Sequence, residues 1–454
     1  MSAHPPATAL LELHPLRAIV RLAAPTTAVM LVAALSNVLH TYFVSRLGDD
    51  AIAAVSLVFP IIMILITVVS GGLGTGIASG IARALGGGRA QDARAIAEHA
   101  IVITLGLAIG GSLASEIGAR ALFRLMGGEG AVLEQATLFS RVLFGGLLIS
   151  FSVGTFDSIL RGAGNVRIPA ICSTLSLLLQ IAFTPLFMFW LDLGLIGAPL
   201  ATLAGQLIGM VPRSRFIFGA NSPVRPRLIP GQLHTRHFAE ILRVGVPASL
   251  SAALNYITLM VLTGVVARFG APYLAAYGLG SRLDFLLFSL GFGVAAAGLT
   301  LVGMAVGAGR PELVRRYVVQ SAVVAACVVA VPAVVVTLRP SAWIGLFSDA
   351  APIHAIGADY FHIIGPTYFF IVVSMVVASA FQALARAVVP LVVMIARVAL
   401  VLLAALLATH AFAAPAHAIF AIIATANVTS CLVLVLLFRS ALRSIDDAPQ
   451  TARP

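Results

Sequence analysis

Few side chains in this sequence could move a charge, and those few stand inside apolar runs. Asp284 comes first. It follows Pro272 by about 12 residues, so at 1.5 Å per residue it lies roughly 18 Å along a helix, near the middle of any bilayer that helix crosses. An ionisable group at that depth is expensive and is a functional hypothesis by default. Burial makes its charged form costly, whereas a cationic ligand favours that form. One carboxylate that holds either a proton or a cation therefore gives exchange by competition. The bland alternative is an ion pair with Arg282 or Arg397, the two arginines assigned to neither membrane side. Arg282 is two residues away and points to a different helix face, unless Gly278 and Gly280 relax the geometry.

Other groups carry weaker signals. His40 stands in the outer third of the first apolar run, where an imidazole could titrate or simply hydrogen-bond in the packing. Gln180, Thr184, Asn255 and Gln382 are uncharged polar groups that either line a cavity or bond helix to helix. Asp157 and Arg161, four apart, predict an i,i+4 pair on one helix face. Glu116 stands at the outer end of its run and reaches the interface. Gly72, Gly76 and Gly80 recur every four residues with no Gly-Lys-Ser/Thr after them, so they predict close helix packing and not a phosphate loop. Cys172, Cys327 and Cys431 read as small buried hydrophobes. The ten histidines are scattered without metal-ligand spacing, so no metal, cofactor or enzymatic centre is expected. Aromatic residues such as Phe59, Tyr256, Tyr277, Phe285, Phe288 and Phe292 could receive a lipophilic cation by π contacts.

The elements that position these groups follow from composition. Of 454 residues, 60% are hydrophobic and only 10% charged, with a mean hydropathy of +1.05. A soluble domain is about 45–50% apolar and about 25% charged, so the chain is a polytopic integral membrane protein. Twelve apolar runs can be laid out: 18–45, 50–82, 95–118, 133–160, 166–190, 193–218, 241–268, 272–307, 313–338, 356–384, 388–411 and 416–438. The second and eighth exceed what a bilayer needs and must tilt, bend or project. The net charge is +11, and all 28 basic residues are arginine. These arginines sit in short loops, which fits the anionic inner leaflet and argues against a nucleic-acid partner. With the N-terminus inside, 20 arginines fall on the cytoplasmic side and 6 on the outer side. That asymmetry predicts an even number of spans and two cytoplasmic termini. The polar, Pro-rich stretch Met1 to Arg17 predicts no cleaved signal.

The sequence also repeats. At an offset of 222 residues Arg21 falls on Arg243, Pro25 on Pro247, Arg46 on Arg268 and Gly48 on Gly270. At 221, Leu-Gly-Gly-Gly-Arg (85–89) falls on Val-Gly-Ala-Gly-Arg (306–310), and Pro169 on Pro390. Six spans per half, an even number, make this a parallel repeat. The predicted fold is all-α and membrane-embedded, with twelve transmembrane helices in two pseudo-symmetric six-helix lobes. The expected domains are 15–218, a basic cytoplasmic linker 219–240, 241–440, and a tail 441–454. Two such lobes suggest a cleft and alternating access by rocking.

Pro25, Arg-Leu-Gly (46–48), Ala-Ile-Ala-Ala-Val (51–55), Arg-Gly-Ala-Gly-Asn-Val-Arg-Ile-Pro (161–169), Val-Gly-Val-Pro (244–247) and Ala-Ala-Tyr-Gly-Leu-Gly-Ser-Arg-Leu-Asp (275–284) resemble the MATE (multidrug and toxic compound extrusion) transporters in their bacterial form. The resemblance implies a secondary efflux pump driven by a proton or sodium gradient, with an acidic position in the eighth span that Asp284 matches. The chain also departs from the pattern. Where family members often carry an Asp in the first span, this sequence has His40. For the Asn and Asp of the fifth span it has Gln180 and Thr184, and for a Glu of the seventh it has Asn255. The loss of those carboxylates argues against sodium, which wants carboxylate oxygens. The expectation is a monomeric, proton-coupled exporter of lipophilic or cationic small molecules in a bacterial inner membrane. Its ion-coupling or substrate residues are expected among Asp284, His40, Asn255, Gln180, Thr184 and Arg282. Flipping of a lipid-linked oligosaccharide is the alternative that Arg282 and Arg397 keep open.

Overall fold

The computed structural model describes residues 9–220, 222–227, 233–410 and 415–446, and among these the chain is helical with no strand. Helix is what such sequences must form, because a bilayer offers no water to satisfy backbone N–H and C=O groups. Eleven helices are long and apolar enough to cross a membrane. The pair Gly130–Gly145 and Leu147–Gly162, bent by 48°, makes a twelfth among the described residues when taken as one broken span. In chain order they are α1 (Pro15–Ser45), α2 (Asp49–Gly86), α3 (Ala90–Leu125), α4 (the bent pair), α5 (Arg167–Trp190) and α6 (Gly194–Phe218). Then come α7 (Thr235–Ala267), α8 (Ala271–Gly307), α9 (Pro311–Leu338), α10 (Ala351–Ala383), α11 (Val388–Ala405) and α12 (His417–Arg443). Large apolar side chains cover the outer helix faces; Ile117 is 85% and Trp190 86% exposed. Water would not tolerate such a surface, and lipid does.

The helices form two compact units, one running from Ala28 to Ser249, the other joining Ala9–Thr27 to the chain from Leu250 onward. The chain passes between them inside α1 and inside α7, close to Pro25 and Pro247. In the first unit α5 packs on α6, and α4 on α2, α3 and α6. In the second unit α8 packs on α9 and α10, and α12 on α10 and α11.

The two overlong spans behave differently. α8 is α-helical throughout, whereas α2 contains a π-helical stretch, Thr67–Leu73. The hydroxyl of Ser249 donates to the carbonyl of Val68 in that stretch, at 2.9 Å. The glycines beside it permit the approach. A Cβ on Gly72 would collide with Ser249, and one on Gly76 would collide with the carbonyl oxygen of Ile241. The four-residue glycine spacing is thus a packing face, as the sequence predicted. Arg83 adds an ion pair to Glu240 at 3.1 Å. The segment that leads into α7 is tied to α3 as well. The N–H of Arg227 donates to Glu98 at 2.6 Å, and that of His234 to Nε2 of His99 at 2.8 Å.

The repeat is visible in the backbone. Gly48 and Gly270, 222 residues apart, precede α2 and α8 with φ of 103° and 106°. Both units also end a helix with the same reversal. The N–H of Asn165 returns to Leu160 O, and that of Arg386 to Phe381 O, each at 2.9 Å. This closure puts the preceding residue in the left-handed region, where glycine is at ease. Gly164 occupies it with φ 79°, but its counterpart is Ala385, with φ 57°. Replacing Ala385→Gly should raise the unfolding free energy by about 1 kcal/mol, and Gly164→Ala should lower it by a similar amount. Thermal unfolding of the detergent-solubilised protein reads both signs.

Candidate functional site

The second unit surrounds Asp284 with hydroxyl groups. Asp284 stands on α8, half-buried, about 13 residues from its start. The phenol of Tyr360 donates to Oδ2 at 2.7 Å, and that of Tyr368 to Oδ1 at 2.5 Å. Both tyrosines come from α10 and are 2% exposed. No arginine reaches the carboxylate: among the described residues Asp284 has no ion pair. Arg282 is exposed, its guanidinium 5.7 Å from the Phe347 ring centroid. Arg397 donates to Oδ1 of Asn427 at 2.7 Å. Asp284 is thus held in place by two phenolic donors and by no guanidinium among the described residues.

The surroundings fix Tyr360 in that role. Its ring meets the edges or faces of Tyr277, Phe361 and Phe420 at centroid distances of 6.0, 5.3 and 5.1 Å. Gly280, one helical turn before Asp284, leaves the slot the ring occupies, and a Cβ there would collide with it. The α10 helix is itself interrupted at this level by a 3-10 turn, Gly365–Thr367. Tyr368 is the first residue after the break.

The first unit treats its buried acid in the opposite way. Asp157 does not lean on Arg161 as predicted. Its oxygens accept from Nε of Arg213 at 2.7 Å and from Nη2 at 3.3 Å. Arg213 is wholly buried and also donates to Ser173 at 2.6 Å and to Gly209 O at 2.8 Å. Arg161 donates instead to Ser158 at 3.0 Å. The i,i+4 rule loses here because a guanidinium two helices away offers a bidentate geometry that a helix neighbour cannot.

The remaining sequence candidates are spread over both units. His40 is half-buried on α1, and Gln180 half-buried on α5. Thr184 is buried and donates to the carbonyl of Gln180 at 2.7 Å. These three belong to the first unit. Asn255 is exposed on α7 and, like Arg282 and Asp284, belongs to the second. None of the other candidates is bonded to Asp284. The residues that do hold it, Tyr360 and Tyr368, lie 76 and 84 positions away and gave no signal in the sequence.

Comparison with known proteins places this geometry in context. The MatE family pattern matches residues 25–186 and again residues 247–407, two segments whose starts are separated by the 222-residue offset of the repeat. The FAD transporter of Shewanella oneidensis is 25% identical over 62% of this chain, and the chain spans 63% of that protein's length. The probable multidrug resistance protein NorM of Thermotoga maritima is 23% identical, over 83% of this chain and 81% of its own. A solved MOP superfamily transporter from Pyrococcus furiosus, for which a reverse polarity of the binding pocket suggests a different function, superposes with a TM-score of 0.91 at 25% identity. It covers 99% of this chain and 100% of that one.

Two outcomes follow from these contacts. Asp157→Ala strands a buried guanidinium and should cost about 3–5 kcal/mol of stability, most of it recovered when Arg213→Leu is added. Gly280→Ala should cost about 1–2 kcal/mol, because overpacking against Tyr360 outweighs the helix preference of alanine. Gly278→Ala, where nothing lies within 4 Å of the added carbon, should be neutral or slightly stabilising. Thermal unfolding in detergent measures each.

Proposed function

The chain belongs to the MATE family of transporters, and on that premise we propose that it exports amphipathic organic compounds in exchange for protons. The observation that carries this reading is the carboxylate of Asp284. It is the acid of the second unit's interior, it is fixed by two phenolic donors, and no guanidinium cancels it. A protein that only needed stability would neutralise such a group, as the first unit neutralises Asp157 with Arg213.

Exchange then needs no bond chemistry. A proton arriving from outside neutralises Asp284 and removes the attraction for a cationic substrate, which leaves. On the inner side the proton departs, and the carboxylate regains its charge and takes the next cation. Competition for one acid makes the two movements obligatory partners, provided the two units expose the acid to one side at a time. Protons fit the site better than sodium. A sodium ion wants several oxygens of carboxylate or carbonyl type, and the partners of Asp284 are hydroxyl groups already turned to donate. We place the protein in a bacterial plasma membrane with both termini cytoplasmic, in keeping with the arginine asymmetry.

The test is reconstituted efflux of a lipophilic cation from proteoliposomes, first under an imposed pH gradient and then under a sodium gradient. The pH gradient should drive transport and the sodium gradient should not. Asp284→Asn, compared at equal protein in the vesicles, should reduce the pH-driven rate to background. Undiminished transport by that variant would sink the proposal.

A further inference from the structure

A buried or half-buried guanidinium in this protein normally faces a carboxylate. Arg213 faces Asp157, Arg83 faces Glu240, and Arg94 faces Glu98. Arg161, bonded to Ser158, still has Asp157 as a charged neighbour one turn away, whereas Arg397 has no such acid beside it among the described residues. It stands on α11 about nine residues from the start, so roughly 14 Å along the span and near mid-membrane. It has no carboxylate partner among the described residues. A guanidinium has five N–H donors. One Nη2 hydrogen goes to Asn427 Oδ1 at 2.7 Å, and Nη1 approaches only the sulfur of Met394, at 3.8 Å. Asn427, 4% exposed, passes the polarity on to Thr367 Oγ1 at 3.1 Å, and the Thr367 hydroxyl ends the relay on Ile364 O at 2.7 Å. The relay orients the cation and adds no negative charge.

The place where the relay ends is a second, independent observation. Thr367 closes the 3-10 turn Gly365–Thr367 that interrupts α10 in mid-span. Irregular backbone at membrane depth persists where protein buries it or where it lines a cavity, and transporters gather substrate groups at such breaks. Here two consecutive residues serve opposite charges. Thr367 reaches the cation through Asn427, while Tyr368 reaches the anion of Asp284. The break thus holds a positive and a negative pole that do not cancel each other.

We infer that Arg397 is an anion-binding residue, and that the exported compound carries a carboxylate or phosphate beside its apolar body. This rests on the transporter reading above but not on proton coupling. An unpaired cation inside an apolar bundle is costly to keep, and a ligand anion that pairs bidentately with the guanidinium regains that cost at the moment of binding. The same chemistry could be met by a soluble amphipathic anion or by a phospholipid headgroup, and the experiment separates the two.

The probes are rhodamine B, which has a free carboxylate on a cationic ring system, and its ethyl ester, which lacks the carboxylate. Binding to the purified full-length protein is read by fluorescence polarisation in detergent without a gradient, and transport by reconstituted vesicles. The preference for rhodamine B over its ester should fall about tenfold in Arg397→Gln, the size expected for a lost charged hydrogen bond. Asn427→Asp, which sets a carboxylate against the guanidinium, should erase the same preference while keeping the residue in place. It also serves if Arg397→Gln does not fold. A third arm follows flipping of fluorescent phosphatidylglycerol. Loss of flipping in both variants, with the dye preference unchanged, would identify a lipid phosphate as the anion. Equal loss for both dyes, or no change in any arm, overturns the inference. Because polarisation needs no gradient, Asp284→Asn can abolish pH-driven transport, or fail to, without deciding this outcome.

Discussion

A polar group inside an apolar bundle must find its partner within the protein, because the surrounding medium supplies none. Much of the hydrogen-bonding in this chain follows from that one constraint. Serine and threonine hydroxyls on the spans turn back to their own helices, as Thr104 does to Ala100 O, Thr137 to Leu133 O and Thr258 to Leu254 O. Charged groups cannot be settled so locally. Each needs a donor set or a counter-charge from another helix, and the choice between these two decides what the group can do. A counter-charge at bonding distance stabilises the group and silences it. A set of neutral partners fixes its position and leaves its charge available.

The two units make opposite choices on a repeated backbone. Gly48 and Gly270 start equivalent helices with nearly equal φ, and the helix ends at Gly164 and Ala385 close with the same reversal. The side chains have diverged. In the first unit Asp157 and the wholly buried Arg213 form a bidentate pair. In the second, Asp284 receives two phenols and Arg397 an amide. A duplicated scaffold thereby has one half whose buried acids, Asp157 and Glu98, are paired with arginines, and one half in which Asp284 and Arg397 have neutral partners.

The sequence carried the scaffold more clearly than the site, and the reason is physical. Span number, length and repeat are local properties: about 20 consecutive apolar residues announce a crossing whatever they pack against. Asp284 was legible for the same reason, since a carboxylate in an apolar run is anomalous on its own. Its partners were not. Tyr360 and Tyr368 are ordinary residues in an apolar stretch, and only the packing of α10 on α8 gives them a meaning. Gly280, read in the sequence only as a residue that could relax the helix, shows its packing role once the ring of Tyr360 is seen in the space its missing side chain leaves. The inward turn of Arg213 was not legible for a subtler reason. It stands five residues before the end of its helix beside Arg215, where arginines usually flank a membrane. Composition alone cannot distinguish a flanking arginine from one turned inward, and the structure turns this one onto Asp157.

The interruption of α10 explains how so few residues serve both poles. In a regular helix successive side chains are 100° apart, so neighbours reach different helices, but the whole span moves as one rod. A 3-10 turn of three residues, with Pro366 removing a donor from the hydrogen-bond ladder, breaks that regularity just before Tyr368. Gly365 lets that turn lie against Thr337 of α9, where a Cβ would collide with the hydroxyl. One partner of Asp284, Tyr368, and the residue that braces the partner of Arg397, Thr367, therefore stand together at this interruption. Fold alone does not specify substrate; what distinguishes the two units of this chain is which charged groups meet an opposite charge and which are held by neutral partners.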